Sequence, residues 1–120
     1  MRALIDAQHT LVLSNEIIGE TIRVLRYPRL QRRFGLTEAE LYDYTQFLQQ
    51  ASQIVVLRQP FVAMLRDPAD LHVLQTAEHG AADVLCTNDD DFHEPVILGY
   101  CASRGIEVYR EEVLLARVTA

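Results

Sequence analysis

The stretch Val84-Leu85-Cys86-Thr87-Asn88-Asp89-Asp90-Asp91-Phe92 is a short apolar run that ends abruptly in three consecutive carboxylates. An apolar run of this length predicts a buried strand over 84–87. Its acidic continuation then falls at the strand's carboxyl end, where open α/β sheets hold their ligands. Three adjacent aspartates repel one another, and a cation nearby relieves that repulsion. The residues that share this edge are therefore the ones to find.

Immediately upstream, Asp67-Pro68-Ala69-Asp70 predicts a helix start. Asp67 takes the N-cap, Pro68 the first helical position, and Gly80 closes the helix as the C′ residue. A loop over 58–66 and a strand at Ile54-Val55-Val56-Leu57 precede it. Thr37-Glu38-Ala39-Glu40 is a capping box, opening a helix to about Ala51 with Leu41, Tyr44, Thr45 and Leu48 inward. Leu11 to Ser14 reads as another short strand, with Ser14 placed to cap the helix that follows. Ile17, Ile18, Thr21, Ile22, Val24 and Leu25 form one apolar stripe on that helix, and Glu20 sits at its edge as a half-buried carboxylate. Glu16 points further outward.

From Arg23 to Arg33 the chain carries five arginines, interrupted by Tyr27 and Pro28 and followed by Phe34. Two readings stand side by side: a solvated helix end and loop, or a phosphate-contacting rim with an aromatic for base stacking. Downstream of the aspartates, a helix over about 95–103 stops at Gly105, a strand covers Ile106 to Tyr109, and a last helix begins at Glu111. Met1 to about Gln8 has the spacing of a helix end.

Strands alternating with helices predict an α/β domain, a parallel sheet with helices on both faces. At 120 residues the chain is expected to be a single domain over 1–120. Domains of this kind begin with a central strand, whereas this sequence opens inside a helix, so the first central strand is expected to be missing. Such a loss exposes two neighbouring strand edges and favours pairing with another chain.

Composition removes several function classes. The chain is 49% hydrophobic and 23% charged with a net charge of −6, which opposes general long-range attraction to nucleic acid and leaves local basic patches to serve. No apolar run approaches the roughly 20 residues a membrane span needs, and a cytoplasmic location is expected. All 11 basic residues are arginine. The absence of lysine weighs against phosphoacceptor receiver domains and haloacid-dehalogenase-type phosphatases, both of which use one. Cys86 and Cys101 lack disulfide or zinc spacing and read as small core residues. His9, His72, His79 and His93 form no spaced zinc set and read as surface or boundary residues. A calcium loop starting at Asp89 would need glycine sixth and glutamate twelfth, and finds Glu94 and Tyr100.

What remains is the carboxylates. Metal-assisted phosphodiester cleavage needs several converging from different elements, because magnesium binds hard oxygen ligands. Asp70 in a helix start and Asp89 with Asp91 at a strand end share one edge of a parallel sheet, and Glu20, a turn or more into its helix, can reach the same cleft. Each also has a structural reading: Asp70 as a residue complementing the helix dipole, Glu20 as a boundary residue, and Asp89 to Asp91 as caps of a short helix through Phe92.

Taken together, Leu13-Ser14 before a helix carrying Glu20, Arg66-Asp67-Pro68-Ala69-Asp70 leading to Leu74 and Ala77, Ala82 through Phe92, and Gly105-Ile106 resemble a PIN domain. The likeness is nearest to toxins of bacterial toxin–antitoxin pairs and runs along essentially the whole chain. The resemblance implies a three-layer α/β fold and a Mg²⁺- or Mn²⁺-dependent ribonuclease. Glu20, Asp70 and Asp89 would be its catalytic carboxylates, with Asp91 supporting the metal. Thr87 would orient a carboxylate or water, with Asn88 beside it, and Arg23, Arg26 and Arg29 would face RNA. It also implies an antitoxin partner and a homo-oligomer. The family pattern begins with a strand ending in an Asp-x-Asn motif that supplies the first metal-binding aspartate, and no such strand precedes Leu4. A rival reading of another class follows: a module that keeps the fold, holds an antitoxin or other protein partner, and cleaves nothing.

Overall fold

A computed structural model describes residues 9–57 and 71–119. Strand β1 (Leu11–Ser14) leads straight into helix α1 (Asn15–Leu25). Ser14 makes the change of direction possible: its backbone is extended, and its hydroxyl accepts the Ile17 N–H at 3.3 Å, satisfying one of the helix's orphan donors. Of the apolar stripe, Ile18 and Ile22 are buried.

The arginine-rich segment that follows is itself helical. Helix α2 (Pro28–Phe34) starts on a proline, whose missing N–H costs nothing at the first position. It ends at Gly35, which adopts φ 58° and returns its N–H to the Gln31 carbonyl. Where one reading had a solvated helix end and loop, a separate helix forms, because a proline start and a glycine stop suffice although none of its residues is buried. Helix α3 (Glu38–Ala51) opens with the expected capping box, Thr37 and Glu40 each serving the other's backbone N–H. Leu41 and Leu48 are its buried residues, while Tyr44 and Thr45 are half-buried.

Strand β2 (Ser52–Val55) begins two residues before the apolar run suggested. Its register explains the shift: Leu11 lies opposite Ser52 and Ser14 opposite Val55 in a parallel ladder, so pairing ends where β1 ends. Val56 is left exposed. Helix α4 is described over Leu71–His79, and the start expected at Asp67, with Asp70, lies outside the described residues. At its other end, the left-handed residue is Ala81 (φ 50°), not Gly80. Ala82 donates to the Ala77 carbonyl and Ala81 to that of Glu78, which is a Schellman closure with Ala81 at C′. Gly80 is needed for another reason. A Cβ there would lie 2.5 Å from Val12 Cγ1 and 2.9 Å from both Val55 Cγ2 and the Thr76 carbonyl oxygen.

Strand β3 (Val84–Cys86), a 3₁₀ turn (Asp90–His93), helix α5 (Pro95–Ala102), strand β4 (Glu107–Tyr109) and helix α6 (Glu111–Thr119) complete the order. β3 and β4 pair in parallel, Val84 opposite Glu107 and Cys86 opposite Tyr109. Cys101 is buried as expected, but Cys86 is exposed because it is the last residue of its strand and its side chain falls on the side away from Leu85.

The architecture is α/β, with six helices and short parallel strands among the described residues. Among the described residues the strands pair as two two-stranded ladders, β1–β2 and β3–β4. Two apolar clusters accompany them. Leu13, Ile18 and Leu48 centre one. Leu74, Ala77, Leu85, Phe92, Ile97, Cys101 and Ile106 make the other. Helix α4 joins the halves: Thr76 meets Ser14 and Gly80 approaches Val12, so α4 runs opposite to β1.

Candidate functional site

The acidic segment is organised by short-range hydrogen bonds after β3 ends. Thr87 donates its N–H to the Tyr109 carbonyl at 2.9 Å, extending the ladder by one bond. Its hydroxyl accepts the Asp89 N–H at 3.1 Å, and Asp89 Oδ1 in turn accepts the Asp91 N–H at 3.0 Å. Asp89 is thus the cap of the 3₁₀ turn, and Phe92 anchors that turn in the core at 2% exposure. His93 Nε2 lies 2.8 Å from the Thr87 carbonyl oxygen and closes the loop from behind. Asp89 is exposed and Asp91 half-buried.

Asp90 and Asn88 face elsewhere. Arg110 holds Asp90 at 2.6 Å and donates to the Asn88 carbonyl at 2.9 Å. The Asn88 side chain caps α6, its Oδ1 accepting the Glu111 N–H at 2.9 Å while Nδ2 donates to the Glu111 carboxylate at 3.2 Å. Asn88 therefore docks a helix in this arrangement, and Asp90 is bridged to Arg110 although its side chain is 90% exposed. Arg110 and His93 escaped sequence reasoning because both reach the turn through the fold; only the short His93–Thr87 separation offered a local hint.

Glu20 lies on α1, half-buried as expected. Its carboxylate takes a two-point grip from Arg23, Nε to Oε2 at 3.0 Å and Nη2 to Oε1 at 2.5 Å. Arg26 makes the same kind of pair with Glu38, at 3.2 and 2.8 Å. Of the three arginines expected to face RNA, only Arg29 is outside an ion pair among the described residues.

Between these groups runs a buried polar line. The Ser14 and Thr76 hydroxyls are 2.8 Å apart, and Thr76 Oγ1 is 2.7 Å from the His72 carbonyl oxygen. A carbonyl only accepts, so Thr76 donates to His72 and Ser14 donates to Thr76. His72 Nδ1 is buried with no partner among the described residues. The spacing of His72 and Thr76, one helical turn apart, was the available signal for a polar face on α4.

The donor set suits a hard divalent cation, since every candidate ligand is a carboxylate. Among the described residues, no three His, Cys, Asp or Glu side chains gather to hold a metal ion. Asp89 and Asp91 share one turn, Glu20 sits on a different element, and Asp70 lies outside the described residues.

A protein-family model for the PIN domain matches residues 1–91. The chain belongs to the PIN-domain family. No curated protein and no solved structure matches it. PIN domains have a nuclease-type fold, generally use divalent metals and commonly bind RNA. In this PIN domain the matched span ends within the acidic turn, and the segments beyond it hold that turn in place: Phe92, His93, Arg110 and Glu111 all contribute. No helix among the described residues is long and apolar enough to cross a membrane.

Proposed function

We propose that this PIN domain is a metal-dependent endoribonuclease, the toxin of a toxin–antitoxin pair, with Glu20, Asp70, Asp89 and Asp91 as the ligands of Mg²⁺ or Mn²⁺. The observation that carries the reading is the turn after β3. Asp89 commits Oδ1 to the Asp91 N–H, and Oδ2 has no partner among the described residues, so a carboxylate oxygen is presented at a strand end by a loop anchored in the core through Phe92. The bound ion would neutralise charge developing on the phosphate oxygens.

The chain's own residues then divide the work. Thr87 holds the backbone of Asp89 and would orient its carboxylate, while Asp91, on the same turn, would support the ion. Glu20 would hold the ion through the carboxylate that Arg23 grips here. Residues 1–120 form one domain in this reading, acting in the cytoplasm as a homo-oligomer restrained by its antitoxin.

A second reading is a module that binds an antitoxin or other protein and cleaves nothing; the closed Glu20–Arg23 pair favours it. Incubating the protein with single-stranded RNA and Mn²⁺ or Mg²⁺ separates them. The nuclease predicts cleavage that falls about 100-fold or more in Asp89→Asn, as loss of a metal ligand should produce. Cleavage unaffected by that substitution refutes the assigned site, and no cleavage with either ion refutes the enzyme.

A further inference from the structure

We infer that Tyr27 and helix α2 form a platform for single-stranded RNA, on which Tyr27 and Phe34 stack bases while Arg29, Arg32 and Arg33 meet backbone phosphates. The proposal rests on the nuclease reading for the purpose of the RNA, but not for its binding.

Helix α2 buries none of its residues. Only Leu30 and Gln31 are half-buried; Arg29, Arg32, Arg33 and Phe34 are exposed, so the helix, set by its proline start and left-handed glycine stop, displays them to solvent. Three of its seven residues are arginine, and its first turn carries no acid. Elsewhere, Arg23, Arg26, Arg104 and Arg110 are neutralised by Glu20, Glu38, Glu78 and Asp90. Arg29, Arg32 and Arg33 have no such partner among the described residues, in a chain whose net charge is −6.

Each end of the helix carries an exposed ring, Tyr27 at 43% and Phe34 at 57%. Guanidinium groups lie over both: Arg23 is 5.7 Å from the Tyr27 centroid and Arg33 is 5.5 Å from that of Phe34. Alternating rings and guanidinium planes are the surface on which unpaired bases stack, because every base has a π face. An acidic peptide would use the charges and leave two rings unexplained. Placement agrees: Tyr27 is seven residues past Glu20, about 10 Å along a helical path, and Arg23 touches both. A strand lying on α2 therefore leads toward Glu20.

The test is fluorescence anisotropy in EDTA with labelled oligo(U) and oligo(A) of about 12 nucleotides, a length such platforms accommodate. Tyr27→Ala and Phe34→Ala should each weaken binding about 5- to 100-fold while leaving the salt dependence unchanged. The double variant Arg32→Ala/Arg33→Ala should flatten the slope of log K against log salt by about 1.4. All four side chains are exposed, and circular dichroism checks that each variant stays folded. Wild-type affinity in every variant overturns the proposal, as does equal affinity for an RNA duplex of the same length. Tighter binding of an oligoglutamate peptide through the same residues would assign the surface to a protein partner and overturn it too. Cleavage is read separately in Mn²⁺: intact platform binding without cleavage refutes only the nuclease and leaves the platform standing.

Discussion

The hydroxyls of Ser14 and Thr76 meet 2.8 Å apart, both buried, although the residues are 62 positions apart in sequence. One oxygen caps α1 and the other lies midway along α4, so a single pair orients two helices around the end of β1. Thr76→Val keeps the shape and removes the acceptor, leaving a buried Ser14 hydroxyl proton without its partner. Urea unfolding should show a loss of about 1–3 kcal/mol. Thr76→Ser should recover most of it, and an unchanged midpoint for the valine variant would show that the pair does not stabilise the fold.

Two glycines should respond in opposite senses to the same substitution. Gly80→Ala drives a methyl against Val12, Val55 and the Thr76 carbonyl, and backbone oxygen at 2.9 Å cannot turn aside. A cost of about 1–3 kcal/mol is expected. Gly99→Ala, within α5 and with nothing within 4 Å, should instead stabilise by about 0.5–1 kcal/mol. Thermal melts of the two variants decide this together.

Ala81 sits at φ 50°, where its Cβ is strained. Ala81→Gly should raise stability by roughly 0.5–1 kcal/mol, since relief of that strain outweighs the added freedom of the unfolded chain. Lower stability in denaturant titration would mean that the Schellman closure does not need a left-handed residue there.

If Glu20 binds a metal ion, Arg23 competes with it. Arg23→Met should tighten Mn²⁺ binding roughly two- to fivefold in calorimetry, the scale expected for release of an exposed ion pair. Weaker binding would place Glu20 outside the metal site.

Burial, and next the 2.8 Å hydrogen bond to Glu78, push the Tyr100 phenol up to about 12. The folded state thus holds this proton more tightly than the unfolded chain, whose tyrosines titrate near 10. Its contribution to stability is complete below about pH 10 and disappears as pH rises through about 12. Absorbance titration near 295 nm should show one late-ionising tyrosine that vanishes in Tyr100→Phe.

Features that depend on neighbours in sequence were legible in advance. The Ser14 cap, the Thr37–Glu40 box and the capping role of Asp89 each require only residues a turn away. Those that depend on the fold were not. The β2 boundary follows its partner's length, and Gly80 looks like a helix stop until Val12 and Val55 are placed against it. Asn88 resembles a site residue until Glu111 arrives to be capped. The same holds for Arg23, whose apparent freedom to meet RNA ends with Glu20 beside it. Helix α2 is the exception among local features: its caps were present in the sequence, but the absence of an apolar stripe concealed it.

Among the described residues β1–β2 and β3–β4 share no ladder, and α4 touches both halves: Thr76 meets Ser14, while Leu74 and Ala77 join the cluster around Leu85 and Phe92. A substitution that disturbs Thr76 therefore reaches both the cap of the helix that carries Glu20 and the core beneath the acidic turn.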